Sequence, residues 1–166
     1  MMRKLLLLAV TVIISAAMCG CGGKTEKEDE AADSIRRADS ARRADSLFVA
    51  SLPLTKGQVM AANINDPETH LLLATEPDNL KPGQLATACV TSLYFLRDNK
   101  TKLPESEEAE LIQYIITLYD RGMELDPTAF EKTAMYYMPE DITDFSEFSK
   151  GIKNLRHMAE AMNAAK

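Results

Sequence analysis

The chain has 166 residues, a formal net charge of −6 and a sequence pI near 5.0, with 25 Asp and Glu against 19 Lys and Arg. That acidic balance argues against a nucleic-acid binder, which needs an excess of cationic side chains to neutralise phosphates. Three cysteines and no tryptophan complete a composition without a disulfide framework or a metal-ligand pattern.

The first element is a leader in three zones. Arg3 and Lys4 open it, Leu5 to Ile14 form an apolar core broken only by Thr11, and Ser15, Ala16 and Ala17 shrink the side chains ahead of Cys19 and Cys21. A charged start, a short apolar core and a small-residue exit have the layout of a secretory signal peptide. The core is shorter than the roughly 20 residues of a comfortable membrane span. Three outcomes are open at this level: cleavage at a cysteine, cleavage after Ala17 leaving three cysteines, and an uncleaved anchor.

Small residues followed by cysteine resemble the lipobox of bacterial lipoproteins. The resemblance covers only the leader. It implies a diacylglyceryl thioether on the cysteine, cleavage just before it by a signal peptidase II, and a membrane tether of two or three acyl chains. Two chains or more hold stably, at roughly 0.8 kcal/mol per buried methylene. Cys21, preceded by Gly20, fits the pattern, and Cys19, preceded by Met18, is the alternative. The leader then spans residues 1–20, and lipidation at Cys21 leaves Cys89 as the free thiol. No Asp follows Cys21; in the lipoprotein family this implies passage to the outer membrane, on its periplasmic side or at the cell surface. The acidic cluster after Gly22 and Gly23 resembles lipoprotein surface-export signals and equally reads as a solvated linker over 21–31.

Residues 32–50 read as a charged helical stalk. "ADSIRR", "ADSARR" and "ADSL" repeat with a period of six, placing Asp33 and Asp39 three and four residues ahead of arginine pairs. Such pairs support a helix by about 0.2–0.5 kcal/mol each. The small apolar residues recur every three positions and drift around a 3.6-residue helix, so they make no straight seam. Between Lys24 and Ser46 six basic residues face seven acidic ones, leaving no basic patch.

The remaining body, 51–166, is expected to be all-α: an irregular bundle of about five helices around one modest core. From Leu47 onward it carries 11 Lys and Arg against 18 Asp and Glu, a net of −7. Thr55 and Gln58 form a capping box for a short helix running to Ile64. Asp66-Pro67 and Asp126-Pro127 each supply an N-cap and a first-turn proline. Pro82 opens a helix with Leu85, Cys89, Leu93 and Leu96 on one face, followed by a loop over "RDNKTKLP". Pro104 begins the longest body helix; its acidic opening turns suit the helix dipole, and its core face holds Leu111, Ile112, Ile115, Leu118, Tyr119 and Met123. Asp144 and Glu147 make a second capping-box pattern ahead of Phe145, Phe148, Ile152, Leu155, Ala159 and Met162, an apolar seam along the last helix.

Chemistry-bearing residues are sparse. His70 and His157 lie far apart, the acidic run at 105–110 lacks a calcium-loop pattern, and Cys89 sits on an apolar face as a small buried hydrophobe. No metal, cofactor or catalytic residue is expected. "YDRGMELDP" resembles the end of a tetratricopeptide repeat, which would imply a groove for peptides. Tyr136, Tyr137 and Met138 are the candidate interaction patch, with core packing as the alternative use. The expected function is a non-catalytic, membrane-anchored envelope lipoprotein whose body binds a protein partner; a ligand-binding or enzymatic domain is the alternative.

Overall fold

The computed structural model describes residues 26–164, with side-chain surroundings from Ser34 onward. The leader, Cys19, Cys21 and the start of the expected linker lie outside the described residues. Among the described residues the chain is all-α: α1 (Glu26–Ala50), α2 (Lys56–Ala61), α3 (Pro67–Ala74), a 3-10 turn (Pro77–Asn79), α4 (Pro82–Asn99), α5 (Glu105–Leu125), α6 (Pro127–Tyr137) and α7 (Phe145–Ala164). No strand occurs among them.

The chain divides between Leu47 and Phe48 into two units. Helix α1 already includes the first described residues, Glu26 to Ala31, ahead of the expected stalk, in a Glu-, Lys- and Ala-rich stretch with good helix propensity. Its side chains from Ser34 to Leu47 are all exposed. The body unit begins at Phe48, where the last turn of α1 turns aromatic. Phe48 meets Tyr136 edge-on at 5.9 Å between ring centroids and carries Lys132 Nζ 4.3 Å above its own ring.

Six α-helices follow α1, where a bundle of about five was expected. Caps set most of their boundaries. The Thr55 side chain accepts from the Gln58 N–H while Gln58 Oε1 accepts from the Thr55 N–H, a reciprocal capping box. Helix α2 stops at Ala61 rather than near Ile64. Ala62 takes a left-handed φ of 44°, its N–H closes back on Gln58 and Val59, and Ile64 lies outside, exposed. Asp66 and Asp126 cap α3 and α6 as expected, accepting from the Thr69 and Ala129 N–H groups. Asp144 departs from the pattern: its carboxylate takes the N–H and hydroxyl of Ser146, a tight local turn, in place of a box with Glu147.

Helix α4 occupies the centre. From Leu85 to Ser92 every residue is buried, so the expected single apolar face is a helix enclosed almost all round. Neighbours α2, α3, α5 and α6 surround it. Its threonines survive in the core because Thr87 and Thr91 donate to the carbonyls of Gly83 and Thr87, each at 2.7 Å. The helix also continues through Asn99, taking in the first part of the expected loop; Asn99 Nδ2 caps back onto the Phe95 carbonyl at 3.0 Å.

Helix α5 lies against α4 on one side and α7 on the other. Its core face includes Ile112, Ile115 and Leu118 as expected, with Ile116 and Gly122 added. Gly122 is there for space. A Cβ at this position would fall 2.0 Å from Phe130 Cδ2. Phe130, fully buried, thereby presses its ring against α5 backbone and joins Tyr119, Phe145 and Phe148 in an aromatic cluster with centroid separations of 5.4–6.5 Å. The seam of α7 lies as expected, with Phe148, Ile152 and Ala159 buried and Phe145, Leu155 and Met162 packed on the core.

Candidate functional site: an apolar groove on the helical body

The three residues expected as an interaction patch are separated by the fold. Tyr137 is fully buried, and its Oη donates to the Leu54 carbonyl at 2.6 Å. It is a core residue that ties α6 to the segment ahead of α2, because an aromatic body with one polar end can be buried once the hydroxyl finds a partner. Burial raises its phenol above the ordinary range. Tyr136 is half-buried against Phe48 and also meets Tyr137 edge-on at 5.1 Å. Met138 is buried and turns the other way, into a groove.

That groove has a volume of about 380 Å³. Helix α4 contributes Val90, Leu93, Tyr94 and Arg97; the 138–142 loop contributes Met138, Pro139 and Ile142; α7 contributes Glu147, Phe148, Gly151, Ile152 and Leu155. The sequence builds it from ordinary parts. Helix α6 must end before Pro139, whose ring excludes the preceding residue from helical geometry. The chain then needs several residues to reach α7, and this connection holds one side of the groove open.

Two polar residues of α4 line it, Tyr94 buried and Arg97 exposed. Tyr94 Oη donates to the Tyr137 carbonyl at 3.1 Å, at the end of α6 where helix carbonyls lack intrahelical partners. Burial pushes the Tyr94 phenol up, the Arg97 cation lowers it and Asp141 raises it. Arg97 lies 4.6 Å over the Tyr94 ring and grips Asp98 through two hydrogen bonds, at 2.7 and 3.1 Å. The other charged lining residue is Glu147, exposed at the rim.

A second concavity of about 480 Å³ lies at the start of α4, between Phe48, Ser51, Leu52 and Pro53 on one side and Lys81, Gln84, Lys132 and Thr133 on the other. Three of its side chains are engaged within the body: Thr133 Oγ1 donates to Ala129, Lys132 covers Phe48, and Gln84 Oε1 accepts from the Lys81 N–H.

The remaining candidates are placed individually. Cys89 is fully buried, its Sγ 3.8 Å from the Ile115 carbonyl, and desolvation drives its thiol far above the ordinary range. Such a thiol stays protonated and inert. His70 and His157 are both exposed on separate helices, with His157 Nδ1 3.5 Å from Glu160. Among the described residues no cluster of three or more His, Cys, Asp or Glu side chains could hold a metal ion. None of their helices is long and apolar enough to cross a membrane. The "YDRGMELDP" stretch forms the end of α5 and the cap of α6, with Arg121 bridging Asp78 at 3.2 Å and Glu124 at 2.8 Å.

The sequence reading missed Val90, Leu93 and Tyr94 as groove residues, and Gly151. A glycine inside a strongly amphipathic helix is the signal that could have pointed there, because glycine weakens a helix interior unless something uses the space. No family model, no curated protein and no solved structure matches this chain.

Proposed function

We propose that this protein is a cell-envelope lipoprotein, held in the outer membrane through an acylated Cys21, whose helical body works without catalysis as a docking module for a protein partner. The leader supports the address: Arg3-Lys4, an apolar core and Gly20-Cys21 fit the lipobox pattern. Helix α1, exposed and charged from Ser34 to Leu47, suits a spacer between lipid and body; its 25 residues would extend about 37 Å at 1.5 Å per residue.

The observation that carries the docking role is the groove between α4, the 138–142 loop and α7. It is open, lined almost wholly by apolar side chains, and built on two helices fixed by the core. Apolar concavities of this kind on an otherwise acidic surface are where partners bury their anchors. Gentle detergent extraction and pull-down of the tagged native protein tests this function. A stoichiometric envelope protein recovered with it supports the docking role; recovery of the protein alone contradicts it.

A further inference from the structure

Gly151, like Gly57 in α2, has open space where a side chain would stand, but of the two only Gly151 lines the groove. It lies inside α7, exposed, on the groove wall, and a Cβ built there meets nothing within 4 Å. This contrasts with Gly122, where Phe130 fills the space. Glycine is the poorest helix-interior residue after proline, so α7 accepts a weak position that no contact in the body requires. What Gly151 does provide is a bare strip of helix backbone in the middle of an apolar groove, where another helix can approach closely.

The groove's dimensions suit such an occupant. Its α7 wall runs from Glu147 to Leu155, about 12 Å of helix axis, or slightly over two turns. A helix lying in it would place anchors at i, i+3 or i+4, and i+7 along that length. Of the charged groups nearby, Lys150 and Lys153 are exposed on α7 but do not line the groove, and Lys150 acts on Asp144. Arg97 is already held by Asp98, whereas the Glu147 carboxylate makes no ion pair among the described residues. Glu140 and Asp141 are exposed on the loop that carries the groove residues Pro139 and Ile142. The body as a whole has a net charge of −7 from Leu47 onward. Complementarity therefore favours cationic flanks on whatever inserts its apolar face.

We propose that this groove seats a basic amphipathic helix of a partner protein, with its backbone closest to the body at Gly151 and its Lys or Arg residues facing Glu147, Glu140 and Asp141. The inference rests on the docking role given above and specifies the chemistry of the partner.

The probe is a fluorescent 14-residue Leu/Lys amphipathic helix, titrated by anisotropy against the full-length protein in phosphatidylcholine nanodiscs, with empty nanodiscs as baseline. Binding above baseline is expected, weakened at least tenfold by Gly151→Leu, whose side chain fills the groove. A Leu/Glu peptide of the same length should bind at least tenfold more weakly. Should Gly151→Leu lower the melting temperature, Glu147→Lys at the exposed rim provides the same readout with packing intact. Equal binding to wild type and both variants overturns the proposal. So does a groove that takes a fluorescent fatty acid, lost in Gly151→Leu and undisplaced by the Leu/Lys peptide, since the occupant is then an acyl chain. A native partner recovered equally by wild type and Gly151→Leu retains the docking role but overturns this groove as its seat; no partner at all removes the docking role itself, whatever the peptide does.

Discussion

Two glycines make opposite demands on the same fold. At Gly122 a methyl group would collide with the Phe130 ring, 2.0 Å from Cδ2. Gly122→Ala should therefore destabilise the body by about 1–3 kcal/mol, the usual cost of overpacking, even after the gain in helix propensity. At Gly151 the same substitution meets open space and should stabilise by about 0.5–1 kcal/mol. Urea unfolding followed by circular dichroism measures both, and the opposite signs are the test. Tyr137→Phe deletes the hydroxyl that satisfies the buried Leu54 carbonyl. It should cost about 1–3 kcal/mol, the penalty of an orphaned buried acceptor, again read by urea unfolding. Cys89 provides a kinetic check. With its thiol fully buried and held protonated, labelling by a maleimide should proceed only as fast as the body unfolds. Rapid labelling of the native protein would mean that α4 is not the enclosed central helix described.

At the scale of elements, helix starts were more legible than helix surroundings. Asp66-Pro67, Thr55-x-x-Gln58 and Asp126-Pro127 are local signals, and the structure makes their hydrogen bonds within three residues of sequence. Asp144 looked equivalent, yet Ser146 two residues on offered both an N–H and a hydroxyl and took the carboxylate first. The all-round burial of α4 was hidden for another reason. The face of Leu85, Cys89, Leu93 and Leu96 leaves Thr87 and Thr91 outside it, but a threonine that bonds its own helix carbonyl presents mainly a methyl group to its neighbours. The caps also carry the pH response. Backbone and side-chain hydrogen bonds from Thr69 hold the Asp66 carboxyl below its ordinary 3.8, and those from Ser146 do the same for Asp144. A depressed folded-state value means that the stabilisation is present above about pH 4 and is lost as pH falls through the lower folded value. The melting temperature should thus decline with acidification below pH 4, and Asp66→Asn, which still caps but cannot titrate there, should flatten part of that decline.

For the molecule as a whole, sequence patterns gave the helical class and the core seam of α7, while the groove emerged only from assembly. Its walls come from α4, the 138–142 loop and α7, brought together because both helices pack against α5. No periodicity within one segment reports such a convergence. The same logic dissolved the expected Tyr136, Tyr137 and Met138 patch. Adjacent residues at the end of α6 point in different directions, one into the core and one into the groove. The role proposed for this body depends on its being tethered at a membrane, and that depends on one sulfur atom. Intact mass spectrometry of the protein purified from native membranes decides it. The expected species begins at Cys21 with a diacylglyceryl thioether, lacks residues 1–20 and leaves Cys89 as its free thiol. A chain with an unmodified Cys21, or one still carrying the leader, would contradict the tether and with it the envelope address.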